Sequence, residues 1–311
     1  MKNLSIFLAF VLVLTATTAA YPYGGGDGSP EDPYRIGEPN DLIEMSQNPD
    51  DWSEHFILTA DINLNLAEPN TFTTAVIAPD TDDSTLGFQG TAFAGVFDGN
   101  GHIVSHLTID TAGAGNDYLG LFGQIEGPSG EVKNLGLKNV HITGGADSTL
   151  LGGLCGYNRG SVSNCCSTGS VTGEGDSWYL GGLCGHNDGM DYISNCYFLD
   201  TAGPHNDWGT PLTDPSMKQQ SSFVGWDFVG DSNGSEDHWQ LAIDGYDYPR
   251  LTWQFVSSAD FLYPGAVNHY DLMEWSIVST MQRLPSIGSR QGSNSTFHNH
   301  CNINKGRLCR T

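Results

Sequence analysis

The sequence predicts an all-β protein, a right-handed parallel β-helix (β-solenoid) of about 30-residue coils with short helical and aromatic caps. Three observations carry that expectation. One phrase occurs three times in residues 119–200: a Gly-Leu-apolar-Gly core, a Gly-rich turn, a β-branched residue, then Asn followed by Leu or Cys. Gly120, Gly153 and Gly182 are equivalent at spacings of 33 and 29, and Asn134, Asn164 and Asn195 at 30 and 31. A fixed period of this length marks a solenoid, a propeller or an array. Finally, the apolar residues do not recur at helical spacing; short runs of Leu, Val, Ile, Cys and Phe are broken by Gly, Asn and Ser, which is strand-and-turn composition. A propeller blade needs about 40 or more residues. Thirty suit a coil of three short strands and three bends, each coil burying its interior against the next.

The chain opens on what reads as a signal peptide, residues 1–20, with Lys2, an apolar run over Leu4–Leu14 and small residues around Thr18 and Ala20. The run is too short to cross a bilayer. No later apolar stretch is long enough, so the expected product is exported, secreted or held at the cell surface, with no membrane span. Residues 21–92 form a lead-in and cap. Within them, 21–38 are irregular, 40–48 are a short helix capped by Asn40 and stopped by Pro49, and His55–Leu66 are the first strands. An uncapped coil would present unpaired strand edges. Asp80, Asp82 and Asp83 share a loop whose side chains suit calcium in type, but their spacing matches no established calcium motif.

Residues 93–200 are the predicted solenoid. Asp98-Gly99-Asn100-Gly101 reads as a tight turn with glycines at positive φ, and Asp98 with His102 lacks a third partner for acid–base work. Asn tolerates the left-handed region better than most residues, so Asn134, Asn164 and Asn195 are expected at bends, with their amides bonded in a ladder. Cys155 and Cys184 are equivalent, as are Cys165 and Cys196; Phe122 and Leu135 hold those positions one coil earlier, so all four thiols are expected in the core. Stacked side chains point the same way, which favours thiol ladders over disulfides. Cys166 should face away.

At this point the GGLCGYN and SNC phrases resemble the GLUG motif, found in strings in large secreted bacterial and archaeal proteins. The likeness covers residues 119–200, with similar flanks at GSPEDPYRIGEPNDLIEM, FDGNGHIVSHLTI and MKQQSSFVGWDF. Some IgA-cleaving metallopeptidases carry such repeats outside their catalytic part. Their HExxH zinc motif is missing here, so the resemblance implies architecture and no peptidase activity.

Residues 201–253 are the predicted C-terminal cap. Thr213 starts a short helix, and Phe223, Trp226, Phe228, Trp239 and Trp253 pack over the open end, with a sugar-stacking platform as the alternative. Residues 254–285 are similar to a degenerate dockerin-like calcium loop. The likeness implies Asp260, Asn268 and Asp271 as metal ligands, while Leu262 and Pro264 stand where two further oxygens belong. Residues 286–311 are basic and predicted to be a disordered tail, in which His298, His300, Cys301 and Cys309 match no standard metal spacing.

Glycine contributes 40 of 311 residues, about twice average use. Net charge is −24, which argues against nucleic acid and anionic membranes as partners. No motif amounts to a catalytic site, and no cofactor beyond calcium is implied. The function expected is therefore a non-catalytic surface or extracellular binding or adhesion module, with polysaccharide or a cell-surface protein as partner. The alternative is a polysaccharide lyase or hydrolase, for which Lys133, Lys138 and Arg159 are the basic residues within the coils.

Overall fold

The computed structural model describes residues 23–188, 192–228, 239–240 and 249–251. The chain divides into two compact units, residues 1–266 and 267–311, and every described residue lies in the first. The predicted signal peptide, Trp253, the dockerin-like segment with Asp260, Asn268 and Asp271, and the basic tail lie outside the described residues.

Among the described residues, strands dominate and helices are few. Strand pairing is parallel except for the short antiparallel pair of Trp239–Gln240 with Arg250–Leu251. Each repeat visits the same sheets in the same order. One pass runs Thr149–Gly152, Cys155–Asn158, Ser161–Ser163 and Cys166–Glu174; the next runs Trp178–Gly181, Cys184–Asn187, Ile193–Ser194 and Tyr197–Leu199. The passes pair in register, Thr149 beside Trp178, Cys155 beside Cys184, Val162 beside Ile193 and Cys166 beside Tyr197. Earlier passes extend the sheets through Phe122–Ile125, Glu131–Lys133 and Gly136–Ala146.

Each of these two passes has four strands, where three were expected. The chain around Leu150 and around Tyr179 runs extended on both sides of a left-handed corner (φ 63° and 56°), and the two corner segments pair with each other. The corner backbone presses on the adjoining strand. A Cβ on Gly156 would lie 2.6 Å from the Leu150 carbonyl oxygen and from Tyr118 Cα, and one on Gly185 would lie 2.6 Å from the Leu151 nitrogen. Any side chain there would overlap backbone, which is why the Gly-Leu-apolar-Gly core closes on glycine.

The interior is one continuous apolar core. Phe56, Phe93, Phe97 and Phe122 stack along its N-terminal half with ring centroids 5.0–6.3 Å apart, and Cys155, Cys184, Cys165 and Cys196 continue it. At the N-terminal end, the helix Pro39–Gln47 places Leu42, Ile43 and Met45 inward. Its cap differs from expectation: Pro39 starts the helix and Asp41, not Asn40, reaches back, its carboxylate accepting from the Gly37 and Glu38 amides at 2.8 and 3.1 Å. The His55–Leu66 stretch is also shorter in strand than expected, since Leu64–Leu66 turn as a 3₁₀ helix, with the Asn63 side chain accepting from the Asn65 amide.

At the other end Thr213 caps the helix Asp214–Met217. Phe223, Trp226, Phe228 and Trp239 form a second buried cluster with Tyr197 and Met217, and Trp226 stacks on Trp239 at 3.9 Å. Buried rings offer no sugar platform. Asn206 donates its amide to the Cys184 and Gly185 carbonyls at 2.8 and 3.0 Å, which covers the edge of the three-stranded sheet.

Candidate binding face

In-register stacking aligns outward side chains as well as core ones. Gln124, Tyr157 and His186 are strand neighbours on three successive passes and form one outward row. The corner residues Tyr118, Leu150 and Tyr179, all at positive φ, form a second row beside it. Rings link the two rows: Tyr118 to Tyr157 at 6.2 Å, Tyr157 stacked on His186 at 5.4 Å, Tyr179 against His186 at 5.0 Å. Phe88 covers Tyr118 at one end, and Trp208 meets His186 edge-on at the other.

Exposure is graded along this face. Tyr118 is buried, Tyr157 and His186 are half-buried, and Tyr179 and Trp178 are 56% and 63% exposed. Parallel stacking turns the Tyr157 and His186 faces toward each other, so Trp178 and Tyr179 are the rings most open to a ligand. Beyond Trp208 the face runs into a recess of about 270 Å³ lined by Ile193, Asn206, Asp207, Trp208 and Gly209. Arg159 marks the rim, paired with Glu126 at 3.2 Å and Asp188 at 3.4 Å. Burial, followed by the Asp188 charge, raises the Tyr157 phenol above its ordinary value; burial does the same for Tyr118. Both phenols therefore remain neutral hydrogen-bonding groups.

The residues singled out by spacing lie elsewhere. Asn134, Asn164 and Asn195 sit at φ 51–53°, and each amide donates to the previous carbonyl oxygen, Asn164 to Asn134 at 3.2 Å and Asn195 to Asn164 at 3.3 Å. Asp98 starts the series by accepting from Asn134 at 3.1 Å, and Trp226 donates to the Asn195 carbonyl at 2.7 Å at its end. A second, buried pair joins Asn158 to Asn187 at 2.7 Å. The Cys155 and Cys184 sulfurs are 3.2 Å apart and unbridged; Cys165 and Cys196 are also thiols and donate to the Ser163 and Ser194 carbonyls. These groups hold successive passes together and face the core or a bend.

The three basic residues of the coils stand in separate settings among the described residues. Lys133 pairs with Glu131 at 3.2 Å, Lys138 lines a narrow cleft beside Trp239, and Arg159 is surface-exposed between its two carboxylates. His102 meets Asp61 and not Asp98, whose carboxylate accepts from Asn100 and Asn134. The Gly99 of that turn is not at positive φ; its missing side chain makes room for the Asn134 carbonyl, and Asn100 and Gly101 take the left-handed positions. Asp80 accepts from the Thr81 and Gln89 amides, Asp82 from Ser84 and Asp83 from Asp117. Among the described residues, no three His, Cys, Asp or Glu side chains are placed to hold a metal ion.

Residue spacing does not mark the aromatic face. Tyr157 and His186 occupy the same position in GGLCGYN and GGLCGHN, but Gln124 precedes them, so the row has no single chemistry to repeat.

The fold and face define a repeat protein whose passes stack in register and present a lateral aromatic surface. Residues 147–172 match the GLUG motif. Over 161 residues the chain is 36% identical to halomucin of Haloquadratum walsbyi, covering 50% of this chain and 2% of halomucin. Over 173 residues it is 30% identical to a protein of Evansella cellulosilytica provisionally named a Gly-rich membrane protein, covering 52% of this chain and 18% of that one. The chain thus spans less than a fifth of the length of either relative. Among solved structures, a protein of Bacteroides ovatus provisionally named an immunoglobulin A1 protease aligns at a TM-score of 0.35 and 14% identity, over 74% of this chain and 95% of that one. No helix among the described residues is long and apolar enough to cross a membrane.

Proposed function

We propose that the chain is an exported, right-handed parallel β-helix segment of a cell-surface or secreted protein. It acts as a non-catalytic binding or adhesion module for extracellular polysaccharide. The single observation that carries this reading is the outward aromatic face, where Tyr179 stands exposed against His186, His186 stacks on Tyr157, and Trp178 is exposed one residue before Tyr179. Large exposed rings on a rigid sheet mark interaction surfaces, and a flat ring beside polar side chains suits an amphipathic ligand such as a sugar. Likeness to a protein named for a membrane, the GLUG motif and the signal-like leader support the surface location. The test is affinity electrophoresis of the purified chain through gels carrying soluble polysaccharides. Retardation in at least one gel is expected; uniform mobility in all of them would remove the proposed ligand.

A further inference from the structure

Resting on that reading, we infer that the ligand is an uncharged glycan lying along the stack, with Trp178 and Tyr179 as its stacking platform and the Trp208 recess receiving its end. Three features of the face lead there.

The first is direction. Neighbouring passes are about 4.8 Å apart, and the outward rows run from pass to pass through Tyr118, Leu150 and Tyr179 and through Gln124, Tyr157 and His186. A linear chain of pyranose rings laid along these rows advances by a similar step for each sugar. Trp178, Tyr179 and His186 belong to one pass, and a ligand along the stack continues from them over Tyr157 on the pass before and toward Trp208 on the other side.

The second is charge. Acidic residues predominate near the exposed rings, where Arg159 and His186 are also present. Glu174 and Asp176 precede Trp178, Asp188 follows His186, and Asp207 lines the recess. Arg159 is engaged by Glu126 and Asp188. A uronate or sulfate on the ligand would meet uncompensated like charge across the platform, in a chain whose net charge is −24.

The third is the recess. Trp208 meets His186 edge-on and also lines the cavity beside Asn206 and Asp207. The aromatic strip therefore ends among amide and carboxylate groups, which suit the hydroxyls of a terminal sugar.

The experiment compares gels carrying neutral chains (hydroxyethylcellulose, a β-1,3-glucan, a mannan) with gels carrying acidic ones (polygalacturonate, alginate), at equal ionic strength. Retardation by a neutral gel and none by the acidic gels is expected. Trp178→Ala and Tyr179→Ala should each weaken that interaction by about tenfold or more, the scale of truncating an aromatic anchor. Both residues are surface-exposed, so unchanged thermal melting certifies that the variants fold. Retardation by acidic gels would overturn the uncharged class and leave polysaccharide binding standing. Neutral binding that survives Trp178→Ala with Tyr179→Ala would overturn the platform alone. Uniform mobility everywhere would overturn both this inference and the proposed function.

Discussion

Asn164 does two jobs at one corner. Its backbone sits at φ 52°, and its amide donates to Asn134 while its carbonyl oxygen accepts from Asn195. An L residue without a polar side chain is strained there by roughly 1–2 kcal/mol, and each lost hydrogen bond removes about 1 kcal/mol net. Asn164→Ala loses both contributions. Asn164→Gly loses the hydrogen bonds and keeps the bend. Alanine is therefore expected to lower unfolding stability by about 3 kcal/mol, and glycine by about 1 kcal/mol less. Urea unfolding of the two variants measures the difference. Equal losses would mean that the backbone bend carries no strain and that the amide bonds account for the whole effect.

At the scale of the strand, the Cys-rich edges of the core predict a pH response. Burial raises the Cys155 and Cys165 thiols well above the ordinary range and pushes Cys166 up to about 12. Below about pH 7.5 folded and unfolded thiols are alike protonated, so they add nothing to the pH dependence there. From about pH 8 up to about 12 the unfolded chain ionises its thiols and the folded chain keeps the proton. Stability should therefore fall as pH rises through that window, by up to about 1.4 kcal/mol per pH unit for each such thiol. Cys166→Ala should decline less steeply than the parent in urea titrations at pH 8, 9.5 and 11. Parallel slopes would show that the Cys166 thiol ionises as readily folded as unfolded. The same strands show what was legible beforehand. Gly153 and Gly182, or Val132 and Val162, repeat in kind, so the period is visible in one sequence. The fourth side was hidden because its corner residues, Leu150 and Tyr179, are not the glycine or asparagine that usually announce positive φ. The buried Asn158–Asn187 pair was hidden because Ile125 stands at that position one pass earlier. The aromatic face was hidden because packing selects it, through register and exposure, and not any recurring residue.

For the whole molecule, charge is the dominant long-range force. Residues 1–274 carry all 36 Asp and Glu against seven Lys or Arg. The ion pairs present, such as Arg159 with Glu126 and Lys133 with Glu131, are surface pairs, each worth about 0–1 kcal/mol. Like-charge repulsion across so acidic a surface opposes the compact state more than these few pairs favour it. Added salt weakens both, since the screening length falls from about 30 Å at 0.01 M to about 8 Å at 0.15 M. Repulsion acts over many residues at long range, whereas the pairs act in contact, so screening removes more repulsion than attraction. The melting temperature should therefore rise on the order of a few degrees between 0.01 and 0.3 M NaCl at pH 7. Specific-ion effects are weak in that range, which ties the rise to screening. Scanning fluorimetry across the series reads it directly. A melting temperature that falls over the same interval would mean that contact pairs outweigh the repulsion, and that the acidic excess does not press on the fold.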